Sequence, residues 1–256
     1  MLLKNLYQYR ELLKSNVKKE IRGKYKGSFL GVLWSFINPL LQVLVYAIVF
    51  PYIMRVQTDN YLVFLIIGII PWTFFTTVIN QGMITVRMNG GIIKKVYFPR
   101  EILPISVATS GLINFLISCI IILLFCIFGK VGLSWHLVLL PIIAFIEYIF
   151  ALGLTFALSA INIYIKDTEY IVQFIINMLF YATPILYTAT LFPEKIRWVL
   201  YINPMAQIIE AYRSIFLYHQ LPDTIGMLYM ILVSILIFII GLAIFRKLEK
   251  GFAEEV

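Results

Sequence analysis

The chemistry open to this chain depends on a few polar side chains that lie inside long apolar stretches. The clearest is Glu147, a carboxylate within an apolar run from residue 137 to residue 165. A charge at membrane depth is costly and by default suggests a functional role. No histidine or lysine stands close to Glu147 in the sequence to complete a proton relay. Two interpretations stay open: a structural carboxylate satisfied by a neighbouring helix, and a residue of a transport pathway.

Two further sets of polar and aromatic residues recur every four positions within apolar runs. The first set is Trp34, Asn38, Gln42 and Tyr46, and the second is Gln173, Asn177 and Tyr181. Residues at this spacing share one slowly drifting face of a helix. Because polar groups facing lipid are costly, each face should point into protein or water. They would serve either as helix–helix hydrogen bonds or as the wall of a conduit for something large and amphiphilic.

Motifs that would indicate an enzyme are missing from the sequence. It has no Gly-x-x-x-x-Gly-Lys-Ser/Thr loop, no His-Glu-x-x-His motif and no Gly-x-Ser-x-Gly elbow. Cys119 and Cys126 share one apolar run without metal-ligand or redox spacing, so they are expected to be packing residues. We therefore predict no catalytic residue, no metal site and no cofactor bound by this chain.

Composition places these residues in a membrane protein. Of 256 residues, 61% are hydrophobic and 13% charged, against about 25% charged residues in a typical soluble protein. The length allows one transmembrane domain, 1–256. The net charge of +8 is interpreted as a topology signal, and no nucleic-acid partner is expected. Residues 1–28 carry eight Lys/Arg and are too polar for a cleavable signal.

The apolar runs predict an all-α membrane protein with six transmembrane helices. The predicted spans are about 29–50, 61–86, 102–128, 137–165, 170–189 and 224–245. The first has 22 residues, which at about 1.5 Å per residue crosses a hydrocarbon core of roughly 30 Å. Of the 21 Lys/Arg, sixteen then lie on the side of the termini and five on the other. Because positive residues favour the cytoplasm, we predict a multi-pass protein of the inner or plasma membrane with both termini cytoplasmic.

Residues 1–28 are predicted to form a cytoplasmic amphipathic helix. Its apolar stripe, at steps of three and four, is Leu2, Leu6, Tyr9, Leu13, Val17 and Ile21. Its basic stripe, at steps of four, is Arg10, Lys14, Lys18 and Arg22. Such a helix beside a membrane span is expected to lie in the headgroup plane, with a solvated cytoplasmic helix as the alternative.

Residues 190–222 are too apolar for an ordinary loop, yet prolines break them. A seventh full span here would put Arg246 and Lys247 outside, against the charge rule. We therefore predict a short re-entrant pair of helices near the outer face. Asn203 would cap the second helix and Pro204 would be its first residue. Glu210 and Arg213 stand three apart on it and are able to pair.

Residues 87–101 form the largest internal cytoplasmic loop in this topology. Asn89-Gly90-Gly91 is expected to break the preceding helix, and a short basic helix over 92–97 would follow until Pro99 stops it. The loop is either a positively charged connector that sets topology or a docking site for a cytoplasmic partner.

Several motifs, taken in order, resemble those of a known family. They are RGKYKGSFLGVLW (22–34) with Asn38-Pro39-Leu40, YFPREILP (97–104), Lys166-Asp167, TPILY (183–187), Asn203-Pro204 and Arg213. As a set they make the chain similar to the membrane (permease) subunit of ATP-binding cassette (ABC) transporters that export O-antigen, capsule or wall teichoic acid. Lys166 departs from the arginine expected before the aspartate, which keeps the charge but loses bidentate geometry.

The resemblance implies a homodimer whose two six-span subunits each dock on a separate cytoplasmic ABC ATPase subunit, which would use the ATP and Mg. The implied substrate is a lipid-linked polysaccharide, moved through a channel between the subunits within the lipid bilayer. The implied ATPase contacts are Arg10, Lys14, Lys18, Lys94, Lys95, Tyr97 and Arg100. Spans one and five would line the channel with Trp34, Asn38, Gln42, Tyr46, Gln173, Asn177 and Tyr181. Asn203, Glu210 and Arg213 would belong to an outer gate formed by the re-entrant helices.

Other classes of membrane protein make different demands on the sequence. A secondary transporter usually shows inverted repeats, but 29–128 and 137–245 show no convincing internal symmetry. A glycan-modifying enzyme would need clustered catalytic groups. The alternatives are a secondary transporter and an ABC permease for another amphiphile, such as a lipid or drug.

Overall fold

The computed structural model describes residues 2–23, 29, 31–54, 60–191 and 193–255. Regular secondary structure in those ranges is entirely helical. The α-helices, in chain order, are α1 (Leu2–Gln8), α2 (Arg10–Gly23), α3 (Trp34–Met54), α4 (Tyr61–Met88), α5 (Gly90–Ile93), α6 (Ile102–Phe128), α7 (Leu140–Tyr164), α8 (Thr168–Ala182), α9 (Trp198–Ile202), α10 (Pro204–Arg213), α11 (Thr224–Leu248) and α12 (Phe252–Glu255). Part of the first motif, residues 24–28 and 30, lies outside the described ranges.

Four helical segments are long and apolar enough to cross a membrane. They are Tyr61–Met88, Ile102–Phe128, Trp135–Tyr164 and Thr224–Glu255, which contain α4, α6, α7 and α11. In α3 the apolar part is the shorter Ile37–Phe50. Helix α8 has 15 residues, or about 22 Å at ~1.5 Å per residue, short of a core of roughly 30 Å. The chain is thus a multi-pass membrane protein, while the count of six spans stays a prediction.

The end of α8 differs from the predicted fifth span. The apolar run continues to residue 189, but the helix ends at Ala182 and Thr183 is extended, with φ −102° and ψ 134°. Proline clashes with a helical conformation of the residue before it and lacks an N–H of its own. Pro184 therefore ends the helix where hydropathy alone predicts continuation.

Helix α4 lies at the centre of the bundle, in contact with α3, α6, α7, α8 and α10. Most of its side chains are buried. Helix α11 packs along α7, and a Cβ on Gly153 would stand 2.6 Å from the backbone of Phe238. The small residue is thus required by the close approach of the two helices.

Helix α2 packs against α6 and follows the predicted stripes. The apolar residues Leu13, Val17 and Ile21 are half-buried, whereas Lys14 and Lys18 are exposed. Burial of its apolar face on the bundle holds the helix against the cytoplasmic half of α6 in the predicted topology.

Candidate functional site

The polar stripe of α8 lies on the outside of the subunit. The residues that pack α8 against the bundle recur every four positions: Thr168, Val172, Ile176 and Phe180. The polar stripe follows one residue later at the same spacing, and Gln173, Asn177 and Tyr181 are all exposed. Since one residue is about 100° around a helix, the polar face flanks the packing face. It is available for water, ligand or another subunit.

The stripe of α3 is exposed at its start and becomes half-buried towards its end. Asn38 and Gln42 are exposed, and the Gln42 side-chain amide donates a 3.3 Å hydrogen bond to the Tyr46 hydroxyl. The Tyr46 ring lies edge-on to Phe50, with the ring centroids 5.7 Å apart. Tyr46 thus also packs against other aromatic rings of the subunit.

The Phe180 ring contacts one tyrosine from each of the two stripes. Its ring centroid lies 6.1 Å from that of Tyr46 on α3 and 5.4 Å from that of Tyr181 on α8. Trp72 of α4 lies 5.7 Å from Phe180 and supports it from the core. The structure thus brings the α3 and α8 candidates to the same aromatic cluster, although their role as a channel wall stays a prediction.

A small cavity that sequence reasoning missed lies between α3, α4 and α6. Its volume is about 160 Å³, and Asn38 of the α3 stripe is one of its lining residues. Thr73, Thr77 and Asn114 contribute neutral polar groups to the lining. Each of these looks ordinary in the sequence, because a lone Thr or Asn in an apolar run carries no periodic signal.

The loop after α4 contains less helix than predicted. Helix α5 ends at Ile93, a turn carries Lys94 and Lys95, and residues 96–99 are not helical. The predicted helix over 92–97 is therefore wrong at its end: α5 ends at Ile93, whereas Pro99 disfavours a helical conformation only of Phe98. The two lysines are exposed, and the Tyr97 side chain is 92% exposed.

A cytoplasmic cleft lies beside this loop in the predicted topology. It has a volume of about 710 Å³ and is lined by three parts of the chain: Asn5, Gln8 and Tyr9; Tyr97, Phe98, Pro99, Arg100 and Glu101; and Arg246, Glu249 and Lys250. Arg100 donates to the backbone carbonyl of Glu249, and its guanidinium lies 5.8 Å from the Phe252 ring centroid. Arg246 pairs with Glu101 at 3.5 Å. Arg100 therefore has a structural role within the subunit.

Burial and the neighbouring charges of the cleft change the pKa of Glu249. Burial raises the pKa of this carboxyl above its usual value, and the nearby Glu101 carboxylate raises it further. Arg100, Arg246 and Lys250 act in the opposite direction. Sequence reasoning used Arg246 and Lys250 for topology alone and did not place them beside the 87–101 loop.

The remaining predicted docking cations lie on α2 and near its start. Arg10, Lys14 and Lys18 are exposed. Lys14 pairs with Glu11 at 2.9 Å, and the Arg10 guanidinium lies 4.9 Å from the Tyr7 ring centroid. These are surface contacts, and their loss on binding a partner would cost little free energy.

The predicted start of the second outer helix is confirmed. The Asn203 side-chain oxygen accepts from the backbone N–H groups of Met205 and Ala206, and Pro204 is in the first turn of α10. The Asn203 side-chain amide also donates to the Thr183 hydroxyl at 2.9 Å. One side chain thus caps α10 and ties it to the end of α8.

Arg213 is buried within the subunit. It pairs with Glu210 at 3.5 Å, as the spacing predicts, but only 1% of its side chain is exposed. It donates to the Ile185 carbonyl at 3.0 Å, and its guanidinium lies 3.6 Å from the Phe64 ring centroid. A gating role for Asn203, Glu210 and Arg213 stays a prediction, and these contacts place Arg213 where α10 meets α4.

Comparison with known proteins identifies relatives over the whole length. Residues 11–217 match the family model described as ABC-2 type transporter. The chain is 37% identical over 257 aligned positions to the O-antigen export system permease protein RfbA of Myxococcus xanthus, covering 100% of this chain and 99% of that protein. It is 38% identical over 253 positions to a protein of the same name from Klebsiella pneumoniae, covering 98% and 96%. The polysialic acid transport protein KpsM of Escherichia coli is 22% identical over 247 positions, covering 91% and 92%.

Proposed function

Because the chain belongs to the ABC-2 type transporter family, we propose that it is the permease subunit of an ATP-driven exporter of a lipid-linked polysaccharide. The observation that carries the proposal is the similarity at 37–38% identity over nearly the whole chain to O-antigen export permeases. The direction of transport is from the cytoplasm across the inner or plasma membrane.

The topology of the proposed permease has six spans and cytoplasmic termini. Four spans are the long helices α4, α6, α7 and α11, and the other two are the shorter α3 and α8. The asymmetric distribution of Lys and Arg supports this orientation. The capped helix α10 and the preceding α9 form the outer hairpin.

Energy comes from a separate ATPase, because the sequence has no phosphate-binding loop. That partner uses ATP and Mg and binds the cytoplasmic side of the permease. The exposed Lys94, Lys95 and Tyr97 support docking by the 87–101 loop, and the basic stripe of α2 supplies a second contact. Two permeases side by side, each with one ATPase, complete the exporter.

The conduit lies against the exposed polar faces of α3 and α8. Aromatic rings stack on the apolar faces of sugars, and amide groups exchange hydrogen bonds with hydroxyls. Asn38, Gln42, Gln173 and Asn177 are exposed on this wall and offer neutral hydrogen-bonding groups. A long polymer can then advance without a deep binding site.

Reconstitution with the ATPase of the same exporter tests the proposal. The complex in lipid vesicles should move a lipid-linked glycan only with hydrolysable ATP. A complex whose ATPase lacks the lysine of its phosphate-binding loop is the control. ATP-driven movement of a lipid without a glycan, or no movement with an active ATPase, would contradict the proposal.

A further inference from the structure

An open groove runs along the surface where α2 packs on α6. Its aliphatic lining residues come from both helices: Leu13, Val17, Ile21 and Ile113. Thr109 of α6 also lines it, but the Thr109 hydroxyl lies 3.2 Å from the Tyr148 hydroxyl and so already has a hydrogen-bond partner. The surface that α6 presents to the groove is therefore apolar.

Three cations of the basic stripe line the same groove. Lys14, Lys18 and Arg22 are all exposed there. Lys14 pairs with Glu11 at 2.9 Å, whereas Lys18 and Arg22 make no ion pair with any residue that the structure describes. The latter two stand four residues apart, or about 6 Å along the helix axis, so both can reach one anionic group. The groove thus combines hydrocarbon with two cations that lack a counterion within the described chain.

The position of the groove along α6 places it within the bilayer. Helix α6 begins at Ile102, at the cytoplasmic side in the predicted topology. Thr109 and Ile113 follow about 10 and 16 Å further along its axis. The interfacial layer on each side of a bilayer is only about 5–8 Å thick. The deeper part of the groove therefore lies at the depth of acyl chains, where an irregular segment of a cytoplasmic protein would leave backbone groups unsatisfied.

We propose that this groove binds one anionic phospholipid of the cytoplasmic leaflet. Its phosphate lies on Lys18 and Arg22, and one of its acyl chains lies along α6 beside Ile113. Basic side chains next to a membrane attract the anionic lipids of this leaflet, and their own hydrocarbon stems extend along apolar surface. None of the described lining residues is acidic, so no carboxylate opposes the phosphate. The bound lipid holds the amphipathic helix α2 against α6.

This lipid is a resident of the membrane and differs from the exported substrate. The proposed conduit lies against α3 and α8, whereas the groove lies between α2 and α6. The proposal goes beyond the proposed function and depends on the topology alone, so it stands whatever the protein exports. The ATPase contact proposed for the basic stripe then falls on Arg10 and Lys14.

Photocrosslinking from the groove tests the site. Ile113→p-benzoylphenylalanine is placed in the full-length permease, in complex with its ATPase, in nanodiscs of equal parts phosphatidylglycerol and phosphatidylcholine. Mass spectrometry of the crosslinked lipid should show phosphatidylglycerol enriched roughly fivefold over its bulk share, the factor expected from one basic residue beside an anionic lipid. The same photoreactive residue at Ile120, which is exposed further along α6, should crosslink both lipids at the bulk ratio.

Charge removal supplies the second measurement. Lys18→Gln/Arg22→Gln should abolish the enrichment at position 113. Lys4→Gln/Arg10→Gln removes the same charge from exposed positions outside the groove and should retain the enrichment. Arg22→Gln alone replaces the double variant if that variant fails to assemble, and should lower the enrichment about twofold.

Three lipid outcomes would overturn the proposal: no enrichment at position 113, full enrichment in the groove variant, or equal loss in both charge variants. Crosslinks from position 113 to the ATPase would overturn it in favour of a protein partner. Crosslinks in cell membranes to a lipid-linked glycan in place of phospholipid would overturn it in favour of the substrate. Failure of export with the enrichment intact would contradict the proposed function and leave this site standing.

Discussion

Tyr212 donates a 2.8 Å hydrogen bond to Glu147, and both side chains are fully buried. The bond joins α10 to α7 of the bundle. The other carboxylate oxygen of Glu147 has no hydrogen-bond partner among the described residues. The bond to Tyr212 favours the structural interpretation of Glu147, because a neighbouring helix supplies a partner for one of its two carboxylate oxygens.

Loss of the Tyr212 hydroxyl should therefore destabilise the permease. A membrane hydrogen bond averages only about 0.6 kcal/mol, but a buried group left unpaired costs about 1–3 kcal/mol. Tyr212→Phe should lower the thermal unfolding midpoint in detergent. The double variant Glu147→Leu/Tyr212→Phe should lie closer to the wild type, because both polar partners are gone. Additive losses in the double variant would contradict this.

Topology is tested by cysteine labelling from each side of the membrane. The Lys/Arg distribution predicts that Lys94→Cys and Lys250→Cys react with a membrane-impermeant reagent from the cytoplasm. Lys195→Cys, on the outer segment, should react only from outside. All three positions are exposed. Asp59→Cys should also react from outside, although Asp59 lies beyond the described residues. Reaction of Lys195→Cys only from the cytoplasm would refute the outer hairpin.

Docking is tested by reversing charges that have no structural role. An exposed ionic contact is worth about 0–1 kcal/mol, so single changes could be silent. Lys94→Glu/Lys95→Glu should weaken association with the ATPase and uncouple ATP hydrolysis from export. Arg100 is left in place because it bonds the Glu249 carbonyl. Unchanged copurification and export, equal to those of a Lys130→Glu control, would rule out this docking surface.

The fold was predictable where local signals agree. Long apolar runs identify α4, α6, α7 and α11, and Asn203-Pro204 identifies the start of α10. Pro184 is a local signal for the end of a helix, but the apolar run continues past it. The predicted fifth span therefore ends later than α8 does.

The candidate sites were predictable only as helix faces. The stripes of α3 and α8 follow from periodicity, but their meeting at Phe180 depends on which helices pack on α4. The cavity forms only where α3, α4 and α6 meet. Arg213 is buried against Phe64 and Ile185, which are distant from it in the sequence. Such contacts produce no periodic pattern in a single sequence, so the sequence alone does not predict them.

Glu249 should make stability depend on pH. Its ordinary pKa is 4.5, and the folded protein raises it through burial and Glu101. The folded state thus holds the proton more tightly, so this stabilisation is full below pH 4.5 and is lost as pH rises through the raised pKa. Glu249→Gln should therefore gain stability relative to wild type as pH rises across that window, measured by thermal unfolding. A difference between Glu249→Gln and wild type that stays constant with pH would contradict the prediction.

The last prediction separates a channel wall from a packing contact. The Tyr181 side chain is 64% exposed, so Tyr181→Ala should leave assembly nearly unchanged and reduce export several-fold if the ring contacts the glycan. Tyr46→Ala should also reduce export but cost more stability, because Tyr46 packs against Phe50 and Phe180.

Ile175→Ala is the matched control for Tyr181→Ala. Ile175 is exposed on the same helix, and six residues place it about 120° away from Tyr181 around the axis. Export should therefore be normal in this variant. Crosslinking of a photoreactive residue at position 181 to a stalled glycan would support the wall directly. Crosslinks to lipid tails alone, or equal export defects at both positions, would show that the α8 stripe faces the bilayer and that the conduit lies elsewhere.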